Sequence, residues 1–268
     1  MKKVVLTISV LILLLMEIFA QQNEFAKLTG PYLGQKPPGM TPEIFAPGIV
    51  SSVDYRELGG GCFSPDGKEY YFTRDVNGRW RIMVSRLENS VWTTPAQVDF
   101  TGEDMALEPH LTLDNQRIFW VTRREKNSGT YMAERTNDGW SKAYYVGQGE
   151  AVSSSKDGEM YLTDRTQTPN RIVNVELEER LFVRYTKLEG EIEQFQKENR
   201  TAHPCISPDG NYMLFDINAT HLFLSFRDKN RKWKQPIDLT QHGLPSNAGI
   251  ASISPDDNYI FFKIEGDI

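Results

Sequence analysis

Apolar residues along this chain come in short bursts separated by polar turns, and one phrase of that alternation recurs. Its clearest copy is Cys62-Phe63-Ser64-Pro65-Asp66-Gly67-Lys68-Glu69-Tyr70-Tyr71-Phe72-Thr73. It predicts strand, tight turn, strand. Pro65 presets φ for the turn, Asp66 can bond its own backbone, and Gly67 tolerates a positive φ. The aromatic run that follows suits a buried strand. Pro204 to Phe215 nearly duplicates the phrase, and Ala251 to Phe262 loses only the turn glycine. Ser155 to Leu162 loses the proline. Thr112 to Trp120 is the most degenerate, with Asn115 able to take the left-handed conformation that glycine takes elsewhere.

The turn aspartates Asp66, Asp114, Asp157, Asp209 and Asp256 are spaced by 48, 43, 52 and 47 residues. A period in the forties with several short strands per unit is the signature of a β-propeller. A second phrase, Trp92-Thr93-Thr94-Pro95, recurs as Trp233-Lys234-Gln235-Pro236 and weakly as Trp140-Ser141-Lys142-Ala143, where a fourth strand would begin. Each unit then reads as strands a to d. In the first unit, c is Arg79 to Arg86 and d is Ala96 to Phe100. The column Tyr70, Ile118, Tyr161, Met213 and Ile260 is expected to be blade core.

The Ser-Pro-Asp-Gly units resemble the PD40, or WD40-like, repeats of the TolB-like propellers, over about Pro42 to the C-terminus. The resemblance implies an all-β propeller. Five copies imply five four-stranded blades, with six as the alternative. Thr41-Pro42-Glu43-Ile44-Phe45-Ala46 imitates the opening of a strand d. Glu43 to Val50 is therefore expected to be the outer strand of a last blade shared between the termini, which would hide its edges. The last unit stops at Gly266-Asp267-Ile268, where this family opens strand c, so a truncated, incomplete final blade is expected. In the third unit, Ile172 to Leu177 fits strand c. Glu178 to Asn199 fits either a surface helix or a strand d with a long loop, and the repeat favours the strand.

Ahead of the propeller (42–268), residues 1–20 read as an export signal and 21–41 as an extended lead-in. Lys2 and Lys3 form a basic start, Val4 to Met16 an apolar stretch too short to span a bilayer comfortably, and Ile18-Phe19-Ala20 a cleavage site. A periplasmic or extracellular monomer without a membrane span in the mature chain is expected. The net charge of −6 and pI of about 5.4 argue against nucleic acid as a partner, which calls for a basic face. Cys62 and Cys205 fill one slot of strand a in non-neighbouring units and read as two small buried residues, not a disulfide.

Familiar catalytic signatures are missing: no Gly-x-Ser-x-Gly, His-Glu-x-x-His, Cys-x-x-Cys or Gly-x-Gly-x-x-Gly. The four histidines, His110, His203, His221 and His242, show no ligand spacing, so neither metal nor cofactor is expected. In this topology the b–c and d–a loops open on the face opposite the Asp turns, and loops on a rigid scaffold carry function. The candidate ligand-binding face comprises Arg74, Asp75, Glu108, His110, Arg123, Glu150, Asp164, Arg165 and His203. Glu108 and His203 occupy equivalent positions near the channel mouth. The reading favoured by the residues is a non-catalytic interaction module binding a protein, peptide or glycan there. The alternative is a propeller enzyme acting on a polysaccharide through Glu108, Glu150 and Asp75, for which an inverting pair would stand about 6.5–9.5 Å apart.

Overall fold

The computed structural model describes residues 27–123 and 127–264; the expected export signal and the chain ending at 265–268 lie outside them. The repeated turn closes through its first hydroxyl. Ser64 Oγ donates to Asp66 Oδ1 at 2.6 Å and accepts from the Lys68 and Glu69 amides at 3.1 and 2.9 Å. Ser207 with Asp209, Ser254 with Asp256, and Thr112 with Asp114 repeat this pattern. Burial opposes ionisation of Asp256, yet the Ser254 and Tyr32 hydroxyls hold its carboxyl down at about 2. Asn115 and Asp257 take positive φ where Gly67 and Gly210 stand in other turns. Ser207 is fully buried, and Ser207→Ala strands the Tyr212 amide while the Asn211 amide keeps Asp209 Oδ1, so it is expected to cost about 1–3 kcal/mol in urea unfolding. Ser207→Thr, which keeps the hydroxyl as Thr112 does, should recover most of the loss; no recovery would mean that the hydroxyl is not what closes the turn.

Each turn joins the inner two strands of an antiparallel sheet. Blade 1 holds β1 (Glu57–Phe63), β2 (Glu69–Val76), β3 (Arg79–Glu88), β4 (Val91–Trp92) and β5 (Ala96–Gln97). Blade 2 holds β6 (Ala106–Leu111), β7 (Arg117–Thr122), β8 (Gly129–Thr136), β9 (Gly139–Trp140) and β10 (Tyr144–Gly147). In blade 3, β11 (Glu150–Ser154), β12 (Met160–Asp164), β13 (Arg171–Glu178) and β14 (Leu181–Lys187) pair in order. Helix α1 (Ile192–Glu198) follows, so the charge-rich stretch of the third unit supplies both strand and helix. Blade 4 is β15 (Thr201–Ile206), β16 (Tyr212–Ile217), β17 (His221–Phe226) and β18 (Ile237–Asp238). Among the described residues the last repeat contributes the hairpin β19 (Ala248–Ile253) and β20 (Ile260–Ile264).

The arrangement is therefore a four-bladed propeller with a two-stranded hairpin in its seam, which corrects the expectation of five or six four-stranded blades. A Ser-Pro-Asp turn builds a hairpin; a blade also needs strands c and d, and the fifth copy pairs β19 with β20 alone among the described residues. The hairpin packs against β1 of blade 1 on one flank and against β15, β16 and β17 of blade 4 on the other, so the inner strands still encircle a channel. The shared-blade expectation is also corrected. Glu43 to Val50 forms no strand, because Ala46 takes a φ of 43° and Gly48 one of 78°, and the Ile49 and Val50 amides turn back to the Ala46 carbonyl.

The lead-in, which runs on without a strand to the start of β1 at Glu57, is nonetheless tied down. Phe45 packs edge-on to Phe261 of the hairpin and to Phe63 and Tyr70 of blade 1, and Tyr32 packs against Phe63 and Tyr259. Trp92 donates its indole N–H to the Gly30 carbonyl at 2.8 Å. The lead-in thus straps the first blade to the hairpin through an aromatic cluster. On the turn face, charged residues staple neighbours together: Arg135 of blade 2 to Glu69 of blade 1 at 2.6 Å, and Arg227 of blade 4 to Glu159 of blade 3 at 2.7 Å. Among the described residues no helix is long and apolar enough to cross a membrane.

Candidate functional site

Every inner strand carries a β-bulge at the same place. Six residues before each turn aspartate stand Gly60, Glu108, Ala151, His203 and Ile250, with φ of 77°, 56°, 53°, 50° and 47°. The strand pairing slips at each of them. Four of the five are not glycine, so left-handed backbone is held there against its intrinsic cost. The preceding blade supplies the restraint. Thr73 Oγ1 accepts the Glu108 amide at 3.0 Å, Thr163 Oγ1 the His203 amide at 2.9 Å, and Asp216 Oδ2 the Ile250 amide at 2.9 Å. Bulges of this kind re-aim side chains, and here they bring Glu108 and His203 to the loop-face end of the channel.

Glu108 and His203 belong to blades 2 and 4, so their contact spans the channel. His203 Nε2 lies 3.5 Å from Glu108 Oε1, and Nδ1 lies 3.0 and 2.9 Å from the two oxygens of Asp216. Asp216 is fully buried and also accepts the Ala219 and Ile250 amides, at 3.0 and 2.9 Å. Burial by itself would lower the imidazole pKa, but hydrogen bonds and charge from Asp216 and Glu108 raise it to about 10. Burial would likewise raise the Glu108 carboxyl, yet His203, with Arg165 and Arg123 further off, holds it below its ordinary value. His203 is therefore an imidazolium at neutral pH and Glu108 a carboxylate.

Glu150 opens β11 beside this triad. It is paired with Arg123, from the loop after β7, at 3.3 Å, and with Arg165, from the loop after β12. The structure thus draws Glu108, His203, Glu150, Arg123 and Arg165 together, all five from the expected face. The remaining expected residues stand elsewhere. Arg74 is buried, bound to Glu57 at 2.8 Å and to the Ile49 and Val50 carbonyls, so it anchors the lead-in. Asp75 pairs with Arg56 at 3.9 Å. Asp164 closes its own loop through the Thr166 amide and hydroxyl at 2.8 and 2.6 Å. His110 lies deeper, and its Nε2 accepts the Ser154 amide at 3.0 Å. Burial pushes it down to about 4, so it is neutral.

Asp216 was not among the sequence candidates. It aligns with Thr73 and Thr163 on strand b, and a carboxylate in place of those hydroxyls was the signal that could have found it. One ring further in stand Cys62, His110, Ser153, Cys205 and Ser252. Both cysteines are free thiols, and burial pushes each up to about 12. Among the described residues no group of three or more His, Cys, Asp or Glu is placed to hold a metal ion.

No protein-family model matches the sequence, and no curated protein does. Solved structures share its fold. The putative TolB from Agrobacterium tumefaciens has a TM-score of 0.55 at 15% identity, over 77% of this chain and 75% of that one. A gluconolactonase from Xanthomonas campestris has a TM-score of 0.52 at 9% identity, over 79% and 70%. TolB from Acinetobacter baumannii has a TM-score of 0.45 at 17% identity over 66% of this chain, which spans 42% of that protein's length. At such identities the likeness is one of fold alone: the chain has a β-propeller fold.

Proposed function

We propose that the chain is an exported, non-catalytic propeller of the PD40 repeat type, acting in the periplasm or outside the cell. It binds a protein, peptide or glycan at the channel mouth formed by Glu108, His203, Glu150, Arg123 and Arg165. The observation that carries this reading is the pairing of every carboxylate in that cluster. Glu150 is held by two guanidinium groups, and Glu108 and Asp216 share one imidazolium. A general acid–base pair needs a group that exchanges protons near the working pH, and the shifts at Glu108 and His203 lead away from neutrality in opposite directions. The same pairing removes the motive for a polysaccharide-cleaving site built on Glu108 and Glu150. Purified protein incubated with panels of aryl glycosides, oligosaccharides and peptides is expected to release no product. Turnover that disappears in Glu108→Gln would show an enzyme instead.

A further inference from the structure

Two polar atoms on the channel wall have no hydrogen-bond partner among the described residues: Glu108 Oε2 and Ser252 Oγ. Glu108 is nine-tenths buried, and both residues line one cavity of about 70 Å³ that runs along the channel towards Leu113 and Pro208. A water needs about 10–15 Å³ of such space, so the cavity admits a group of a few non-hydrogen atoms and no aromatic side chain. Its chemistry is fixed by the two atoms: a carboxylate oxygen that can only accept, and a hydroxyl that both donates and accepts.

The charges around the mouth balance. Glu108, Glu150 and Asp216 are matched by His203, Arg123 and Arg165 through the ion pairs already described. With these charges paired, the mouth holds no surplus of either sign to attract a cationic or an anionic ligand. A neutral ligand with many hydroxyls needs no such surplus and can both donate and accept. We propose that the channel mouth is a subsite for a neutral carbohydrate, which directs a hydroxymethyl group or a pair of adjacent hydroxyls at Glu108 Oε2 and Ser252 Oγ. The assignment rests on the binding reading above and narrows its ligand to the glycan. A hydroxyl lost from the sugar would leave a buried acceptor unpaired, which is how the site would discriminate against deoxy sugars.

The test is calorimetric titration of the full chain with maltotetraose, cellotetraose and mannotetraose, set against tetragalacturonate, tetralysine and tetraalanine. At least one neutral tetrasaccharide is expected to bind, and more tightly than any of the other three. Ser252→Ala, which leaves the ion pairs intact, should weaken that binding by about threefold to tenfold, and Glu108→Gln should weaken it more. Unchanged affinity in Ser252→Ala would overturn the assignment, as would tighter binding of a charged tetramer, or no binding by any saccharide. Peptide binding without saccharide binding would overturn the carbohydrate assignment and leave the binding-module reading standing. Saccharide hydrolysis lost in Glu108→Gln would instead remove the module reading itself.

Discussion

Replacing His203 with glutamine is expected to destabilise the propeller by about 3–5 kcal/mol, because it leaves Glu108 and Asp216 as buried carboxylates without their cation. For a domain of this size that lowers the melting temperature by on the order of 10 °C. The pH dependence identifies the cause. The imidazole pKa is raised from 6.5 to about 10 on folding. The stabilisation is therefore fully present below about 6.5 and declines as pH rises, vanishing as pH passes through about 10. Wild-type protein should lose stability across that window, and His203→Gln should lose much less of it. Asp216→Asn, which keeps the shape of the side chain, should flatten the profile in the same direction. Parallel profiles for all three proteins would show that the triad is not charged as described.

Trp92→Ala is expected to cost about 3–5 kcal/mol, the range for deleting a large buried aromatic. Trp92 is 1% exposed and packs with Leu33, Ile49, Val50 and Phe63, so it holds the lead-in against blade 1. Its indole also satisfies the Gly30 carbonyl. The loss should therefore be shared with the hairpin, through Phe45 and Phe261. Amide exchange should accelerate along Leu33 to Val50 and in β20, while blade 3 keeps its protection. Acceleration spread evenly over the ring would mean that the lead-in does not act as a local strap.

The turns, the strand pairs and the face carrying the mouth were legible in the sequence because each rests on local chemistry. A hydroxyl, an aspartate and a residue tolerant of positive φ suffice to write the turn. The blade count was not, since copies of the turn do not report whether strands c and d follow. The core column illustrates both cases. Tyr70, Ile118, Tyr161 and Met213 are buried as expected. The third unit's turn is one residue shorter, with Ser155 accepting its closing bond from Glu159, so Met160 and not Tyr161 aligns with Tyr70. Ile260 is 45% exposed, and among the described residues no outer strand pairs with β20. The bulges were invisible for a different reason: glycine, glutamate, alanine, histidine and isoleucine share no side-chain property. What Glu108, His203 and Ile250 share is an amide held by a hydroxyl or carboxylate of the preceding blade.

The protonation of the mouth can be read directly by NMR, following the His203 ring nitrogens and the Glu108 carboxyl carbon from pH 5 to pH 10. A binding site with fixed charges predicts an imidazolium at His203 that begins to deprotonate only near the top of that range, and a Glu108 carboxylate that stays ionised throughout. A His203 ring titrating near 6.5, or a Glu108 carboxyl titrating near neutrality, would contradict the fixed-charge mouth and place a usable acid or base at the centre of the channel.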